Sequence, residues 1–353
     1  MKKLRLSYLD SLRGLAAVAV AFFHYVLFYK EEILLHSQFS VESNLLSYFN
    51  NTIDLGKISV LVFFMISGFV IPYSIKSSGK TAVNLFVISR FFRLYPVYWL
   101  SVIIGVIIYN ISWSVGLVNL TMFQQFIGVP NVIGLYWTLQ IELVFYFLMI
   151  VLVLLKKNND LKTNFLMSLV FLVIALLMSV CRFYFEVKLP VALPLALSVM
   201  FFGSYWRNFI IKEDTDAKKK SFRYICIYIV VIPIIAKLAY DIDFGFHENW
   251  IKYVISYFSA LAIFLFATLI KYSNMFFVFL GKISYSVYLF HPITFHLSEK
   301  YIDSLGIRIG GRIALHLILL IVFSYVTYNI VEKYSIQLGR KVKNKYLVKV
   351  NEQ

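Results

Sequence analysis

Arg13 and His24 stand eleven residues apart inside one apolar segment, LRGLAAVAVAFFHYVLFY. At about 100° and 1.5 Å per residue, eleven steps make three turns plus roughly 20°, with about 16 Å of axial rise. The guanidinium and the imidazole therefore share one helix face at two depths. Ionisable side chains inside a membrane helix are costly and mark a pathway or a site. An arginine holds anions through a fixed fork of N–H donors, and an imidazole does proton chemistry near neutral pH. The pair suits an anion held near one surface with acid–base chemistry deeper in. Asp10, three residues before Arg13, can pair with it on the same face. Gly14, Ala16 and Ala17 are small and allow close approach of another helix or a ligand.

Two other segments reach a similar estimated depth. In WTLQIELVFYF, Thr138, Glu142 and Tyr146 follow an i, i+4, i+8 stripe. Read from the outer surface, Glu142 lies about 13 Å in, near the level of His24. A buried carboxylate needs a partner, so the sequence predicts a His24–Glu142 pair in which the carboxylate orients a general base. In FLGKISYSVYLFHPITFH, Ser284, Tyr288 and His291 share a face, and His291 stands just before a helix-bending Pro292. His296 reads as interfacial, and His36, His247 and His316 have no comparable context. His24, His291 and Glu142 lack any zinc-ligand spacing, so no metal is expected. Arg90 and Arg93, three apart in SRFFRLYPVYW, would join Arg13 in a triad for phosphate oxygens. Ser67–Gly68 falls mid-membrane; no G-x-S-x-G frame surrounds Ser67.

The elements that must carry these residues are membrane helices. The chain has 353 residues, 60% hydrophobic and 15% charged, and repeated apolar runs of about 20 residues exclude a soluble domain. The expected fold is all-α and polytopic, with ten spans near 9–29, 56–75, 94–112, 133–155, 163–181, 190–210, 222–240, 250–270, 276–298 and 311–335. The net charge of +16 is read as topology marking rather than nucleic-acid binding. With both termini cytoplasmic, 24 Lys and Arg fall inside, 9 outside and Lys282 within a span, which is the positive-inside bias. Residues 1–340 form the expected membrane domain and 341–353 a basic cytoplasmic tail. The start lacks a cleavable signal peptide's small-residue site. Cys181 and Cys226 are expected near opposite faces, unable to pair. The loop 30–55, with Glu31, Glu32, Glu42 and Asp54, is the longest external connection.

Taken together, these segments resemble the integral-membrane acyltransferase family 3. LDSLRGLAAVAVAFFH is similar to its opening motif, an Arg followed by ten residues and a His. FFMISGFVI, SRFFRLYPVYW, WTLQIELVFY (giving Trp137 and Glu142) and ISYSVYLFHPI resemble four further family elements in the family's order. The resemblance implies transfer of an acyl group, acetyl first, from cytoplasmic acetyl-CoA or another acyl-CoA to a hydroxyl of a glycan or lipid-linked oligosaccharide. Such acceptors include O-antigens and other surface polysaccharides. It implies a bacterial-type inner (plasma) membrane, with His24 as general base aided by Glu142 and His291. Arg13, Arg90 and Arg93 would hold the donor, with Asp10, Ser67, Trp137 and Tyr288 in support. The partners expected are acyl-CoA, the glycan acceptor and membrane lipids. Buried ionisable residues alone also fit a proton-coupled membrane transporter, and a non-catalytic subunit of a polysaccharide pathway is a third reading.

Overall fold

The computed structural model describes residues 6–36, 52–75, 79–242, 244 and 249–351. His247, the side chain of His36 and the middle of the 30–55 loop, including Glu42, lie outside the described residues. The helices are α1 (Ser7–Phe28), α2 (Lys30–His36), α3 (Leu55–Val70), α4 (Gly79–Ile108), α5 (Trp113–Asn119), α6 (Trp137–Leu154), α7 (Leu161–Phe185), α8 (Ala192–Lys212), α9 (Thr215–Tyr240), α10 (Trp250–Ile270), α11 (Met275–Asp303), α12 (Ile309–Thr327) and α13 (Lys333–Asn351). Among the described residues there is no strand, and nine helical stretches are long and apolar enough to cross a membrane. The chain is an all-helical polytopic membrane protein. Its outward faces carry Leu166, Val173, Leu177, Phe266 and Val322, all exposed, as a lipid-facing surface requires.

Three expected boundaries move. The span placed at 190–210 is α8, which is long enough to cross but is not among the nine apolar stretches. It is buried nearly all round, so it needs no lipid-soluble surface and carries polar groups that neighbours satisfy: Ser198 Oγ donates to the Ser168 carbonyl at 2.7 Å and Trp206 Nε1 to Thr268 Oγ1 at 2.8 Å. The span expected from residue 94 is the 30-residue α4, so Arg90 and Arg93 lie inside a helix rather than ahead of one. Pro96 sits within it and has no N–H to give the Phe92 carbonyl; Ser335 Oγ donates to that carbonyl instead. The last span continues past α12 through a π-helical turn, Tyr328–Glu332, into α13, so the basic tail after residue 340 is helical. Both cysteines are free.

Two apolar cores divide the molecule. One is built by α3 and α6 to α10, the other by α4, α11, α12 and the C-terminal half of α1. Helix α1 joins them. It runs against α11 with backbones in contact, because a Cβ on Gly14 would overlap the Phe277 carbonyl and one on Gly281 the Asp10 carbonyl. Glycine permits that approach, and van der Waals packing of this kind drives helix association in lipid. The two glycines are 267 residues apart, the same offset as His24 and His291. The helices therefore run parallel, in one register, for about 15 Å. Gly281→Ala is expected to force α1 from α11 and lower the thermal-unfolding temperature in detergent. Gly311→Ala, whose Cβ would meet nothing nearer than 3.4 Å, should leave that temperature close to wild type.

Candidate functional site

Between the two cores lies a cavity of about 760 Å³ including its open mouth. Five helices line it. Helix α1 supplies Arg13; α3 supplies Val60, Phe63, Phe64 and Ser67; α4 supplies Arg90 and Arg93; α6 supplies Thr138 and Glu142; α11 supplies Ser284, Tyr285 and Tyr288. The arginine triad expected from two distant segments thus lines one cavity. Arg13 has Asp10 at 4.0 Å behind it. Arg90 is clamped between rings, its guanidinium carbon 5.2 Å from the Phe86 centroid and 5.4 Å from that of Tyr146. Its Nη2 donates to Ser74 Oγ at 2.8 Å, and its buried Nε has no partner among the described residues. Three guanidinium groups face one lining carboxylate, Glu142, which accepts from the Tyr146 hydroxyl. Such a cavity favours an anion with several acceptor oxygens.

At the other end of the same helix, His24 meets His291. Nδ1 of His24 is 2.8 Å from Nε2 of His291, and the rings are 4° from coplanar with centroids 4.9 Å apart. The 2.8 Å link accounts for most of that separation, so the contact is an in-plane hydrogen bond, not a face-to-face stack. Its direction follows from Pro292. The proline lacks the N–H that would bond the Tyr288 carbonyl, and His291 Nδ1 takes the place at 2.8 Å. A carbonyl only accepts, so His291 Nδ1 carries the proton and its Nε2 offers a lone pair. His24 Nδ1 must then donate, leaving Nε2 of the neutral His24 ring as a free base. Tyr288 joins the two regions: its ring lines the cavity while its carbonyl fixes His291.

A family model described as an acyltransferase domain matches residues 6–330. The chain belongs to acyltransferase family 3. It is 30% identical over 156 residues to "Acyltransferase MdmB" of Streptomyces mycarofaciens, a match that covers 40% of this chain and 38% of that protein's length. No solved structure matches it. The chain is therefore a multi-pass membrane protein of an acyltransferase family.

In this member of the family the expected His24–Glu142 pair is not formed; His24 bonds His291. The Thr138–Tyr288 hydroxyl contact of 2.7 Å puts Thr138 level with Tyr288, three residues short of His291. Glu142 lies four residues further along α6 in the opposite sense, about 10 Å from the histidine level in all. Depth counted from residue 133 went astray because residues 110–136 fold above α6. Buried Asn119 satisfies the Val115 and Pro130 carbonyls and the Val132 N–H there, and α6 begins only at Trp137. Glu142 faces the arginines instead. Ser67, Tyr288 and the three arginines line the cavity, Asp10 sits behind Arg13, and His24, His291 and the exposed Trp137 are outside its lining.

Several site groups were not foreseen. The Tyr25 hydroxyl donates to the His291 carbonyl at 3.1 Å. His316 is buried, with Nε2 2.9 Å from the Tyr29 hydroxyl and Nδ1 2.9 Å from Ser298 Oγ. Glu332 is buried on the π-helical turn, accepting from Ser286 Oγ at 2.9 Å; a lone acid in the apolar last span was its one sequence signal. Among the described residues no group of three His, Cys, Asp or Glu side chains is placed to hold a metal ion. Pro292→Ala returns an N–H to the Tyr288 carbonyl and frees His291 Nδ1. Nitrogen NMR of ¹⁵N-histidine-labelled protein should show His291 as the Nδ1–H tautomer in wild type and a mixture of tautomers in the variant.

Proposed function

We propose that this acyltransferase moves an acetyl or other short acyl group from cytoplasmic acyl-CoA to a hydroxyl of a surface or lipid-linked glycan, with His24 as general base. The observation that carries the reading is the placement of Arg13 and His24 on one helix. Arg13 opens into a cavity with two more arginines, and His24 has its basic nitrogen set by a neighbour. Coenzyme A carries its phosphates at one end and its thioester at the end of a long arm. The axial separation of about 16 Å between guanidinium and imidazole suits that arm when extended. The 24-to-9 bias of basic residues supports placing the arginine end toward the cytoplasm of a bacterial-type inner membrane.

In the reaction, Nε2 of His24 takes the proton of the acceptor hydroxyl as its oxygen attacks the thioester carbonyl. The tetrahedral intermediate collapses with the thiolate of CoA leaving, and the imidazolium returns the proton to that sulfur. The products are the O-acyl glycan and free CoA. His291 holds the His24 ring in the required tautomer through its Nε2 lone pair, the orienting role that the sequence had given to Glu142. Positioning two substrates in this way supplies much of the rate.

His24→Ala is expected to abolish acylation of glycans in cells, measured by mass spectrometry, with the protein still folded in the membrane; wild-type acylation would remove His24 from the reaction. Arg90→Ala with Arg93→Ala should raise KM for acyl-CoA by about 10- to 100-fold, the worth of lost charge-assisted hydrogen bonds, with kcat reduced less. An unchanged KM would assign those arginines to topology.

A further inference from the structure

A second cationic group stands beyond the arginine wall. Arg207, on α8, donates from Nη1 to the Phe69 carbonyl at 3.3 Å. Its guanidinium carbon lies 4.6 Å from the Tyr73 ring centroid and 5.2 Å from that of Phe69. No carboxylate among the described residues pairs with it. Tyr73 is itself fixed, its hydroxyl donating to Asn208 Oδ1 at 2.6 Å. On α1, Tyr8 is 6% exposed, and its hydroxyl has no hydrogen-bond partner among the described residues; the charge of Arg207 acts on it. Ser204, one turn before Arg207, is a second fully buried hydroxyl without one. Buried polar groups are almost always bonded, so two orphaned hydroxyls in the neighbourhood of a guanidinium that no carboxylate pairs point to an acceptor they would share.

This group adjoins the cavity. The short turn Pro72–Ser74 follows cavity-lining Ile71; its Tyr73 meets Arg207 and its Ser74 takes the Arg90 hydrogen bond. Tyr8 precedes Arg13 by five residues, about 7.5 Å along α1 and away from His24. A ligand whose phosphates sit on Arg13, Arg90 and Arg93 would thus meet Arg207 at the end remote from the histidines.

We propose that Tyr8, Tyr73 and Arg207 form a second anion subsite that takes the ribose 3′-phosphate of coenzyme A. The proposal rests on the acyl-CoA reading above and adds to it a reason for choosing CoA over carriers lacking that phosphate. Arg207 and Tyr8 donate to the phosphate oxygens. The Tyr73 ring holds the guanidinium in place, and Asn208 holds Tyr73.

The test is titration calorimetry of the purified full-length protein with CoA and with 3′-dephospho-CoA. Wild type should bind CoA at least about tenfold more tightly, as expected for charge-assisted hydrogen bonds lost with one phosphate. Arg207→Met, which keeps an unbranched apolar stem, should bind both ligands with the affinity that wild type shows for dephospho-CoA. Tyr8→Phe should narrow the gap in part without weakening dephospho-CoA, and it decides the matter should Arg207→Met fail to fold. Equal wild-type affinity for the two ligands overturns the subsite while leaving the donor reading intact. So does an equal loss for both ligands in Arg207→Met, which is also the outcome if Arg207 serves a lipid phosphate. Wild type that binds neither ligand overturns the donor reading and the subsite with it.

Discussion

The site depends on a contact that contains no chemistry: the backbones of α1 and α11 touching at Gly14 and Gly281. In lipid there is little hydrophobic gain from bringing two helices together, so close packing must do the work. Because the contact is backbone to backbone, it fixes register as well as distance. Ten residues further along each helix, the same offset brings the two imidazoles within hydrogen-bond reach. A side chain at either glycine would shift one helix relative to the other, and an in-plane N–H···N bond tolerates little of that. The small residues near the start of α1 and the histidine near its end are therefore parts of one device.

Proline acts twice to the same effect. Pro96 and Pro292 each release a carbonyl one turn back, and in a low-dielectric interior such a carbonyl must find another donor. At Phe92 the donor is Ser335, from the segment after the π-helical turn, which ties the last helix to the turn that carries Arg93. At Tyr288 the donor is His291 itself, which sets the direction of the hydrogen bond between His291 and His24. What reads in the sequence as helix disruption serves here as hydrogen-bond direction.

Legibility followed the range of the interactions. The Arg13–His24 face was readable because one helix's period fixes both residues, and the Arg90–Arg93 pair was readable for the same reason. The membrane fold was readable from apolar length. The partner of His24 was not, because depth along a helix says nothing of which neighbour faces it, and the starting level of α6 is set by the folded segment 110–136. The fully buried α8 was found as a helix even though its composition is less apolar than a lipid-facing span. The Tyr73–Arg207 ring contact joins residues 134 apart in sequence and leaves no local pattern at all. His291 was recognised as a site residue, but its orienting role depends on Pro292 and on the α1–α11 register together.

The two-core arrangement explains how so many charges persist inside an apolar molecule. Three guanidinium groups within one cavity repel one another, and at an effective dielectric of about 20 a like-charged pair some 4 Å apart would cost about 4 kcal/mol. Placing them at a seam rather than within either core lets Asp10 stand behind Arg13, Phe86 and Tyr146 enclose Arg90, and Glu142 offer a shared carboxylate. Those groups offset the repulsion only in part, because three cations face one lining anion. On the proposed reading, the phosphates of the acyl donor offset the remainder. The cationic lining is then what would bind that donor, at the end of α1 remote from the histidines. On that reading, anchoring one end of the donor and reacting the other are separate tasks along a single helix, each with its own set of neighbours.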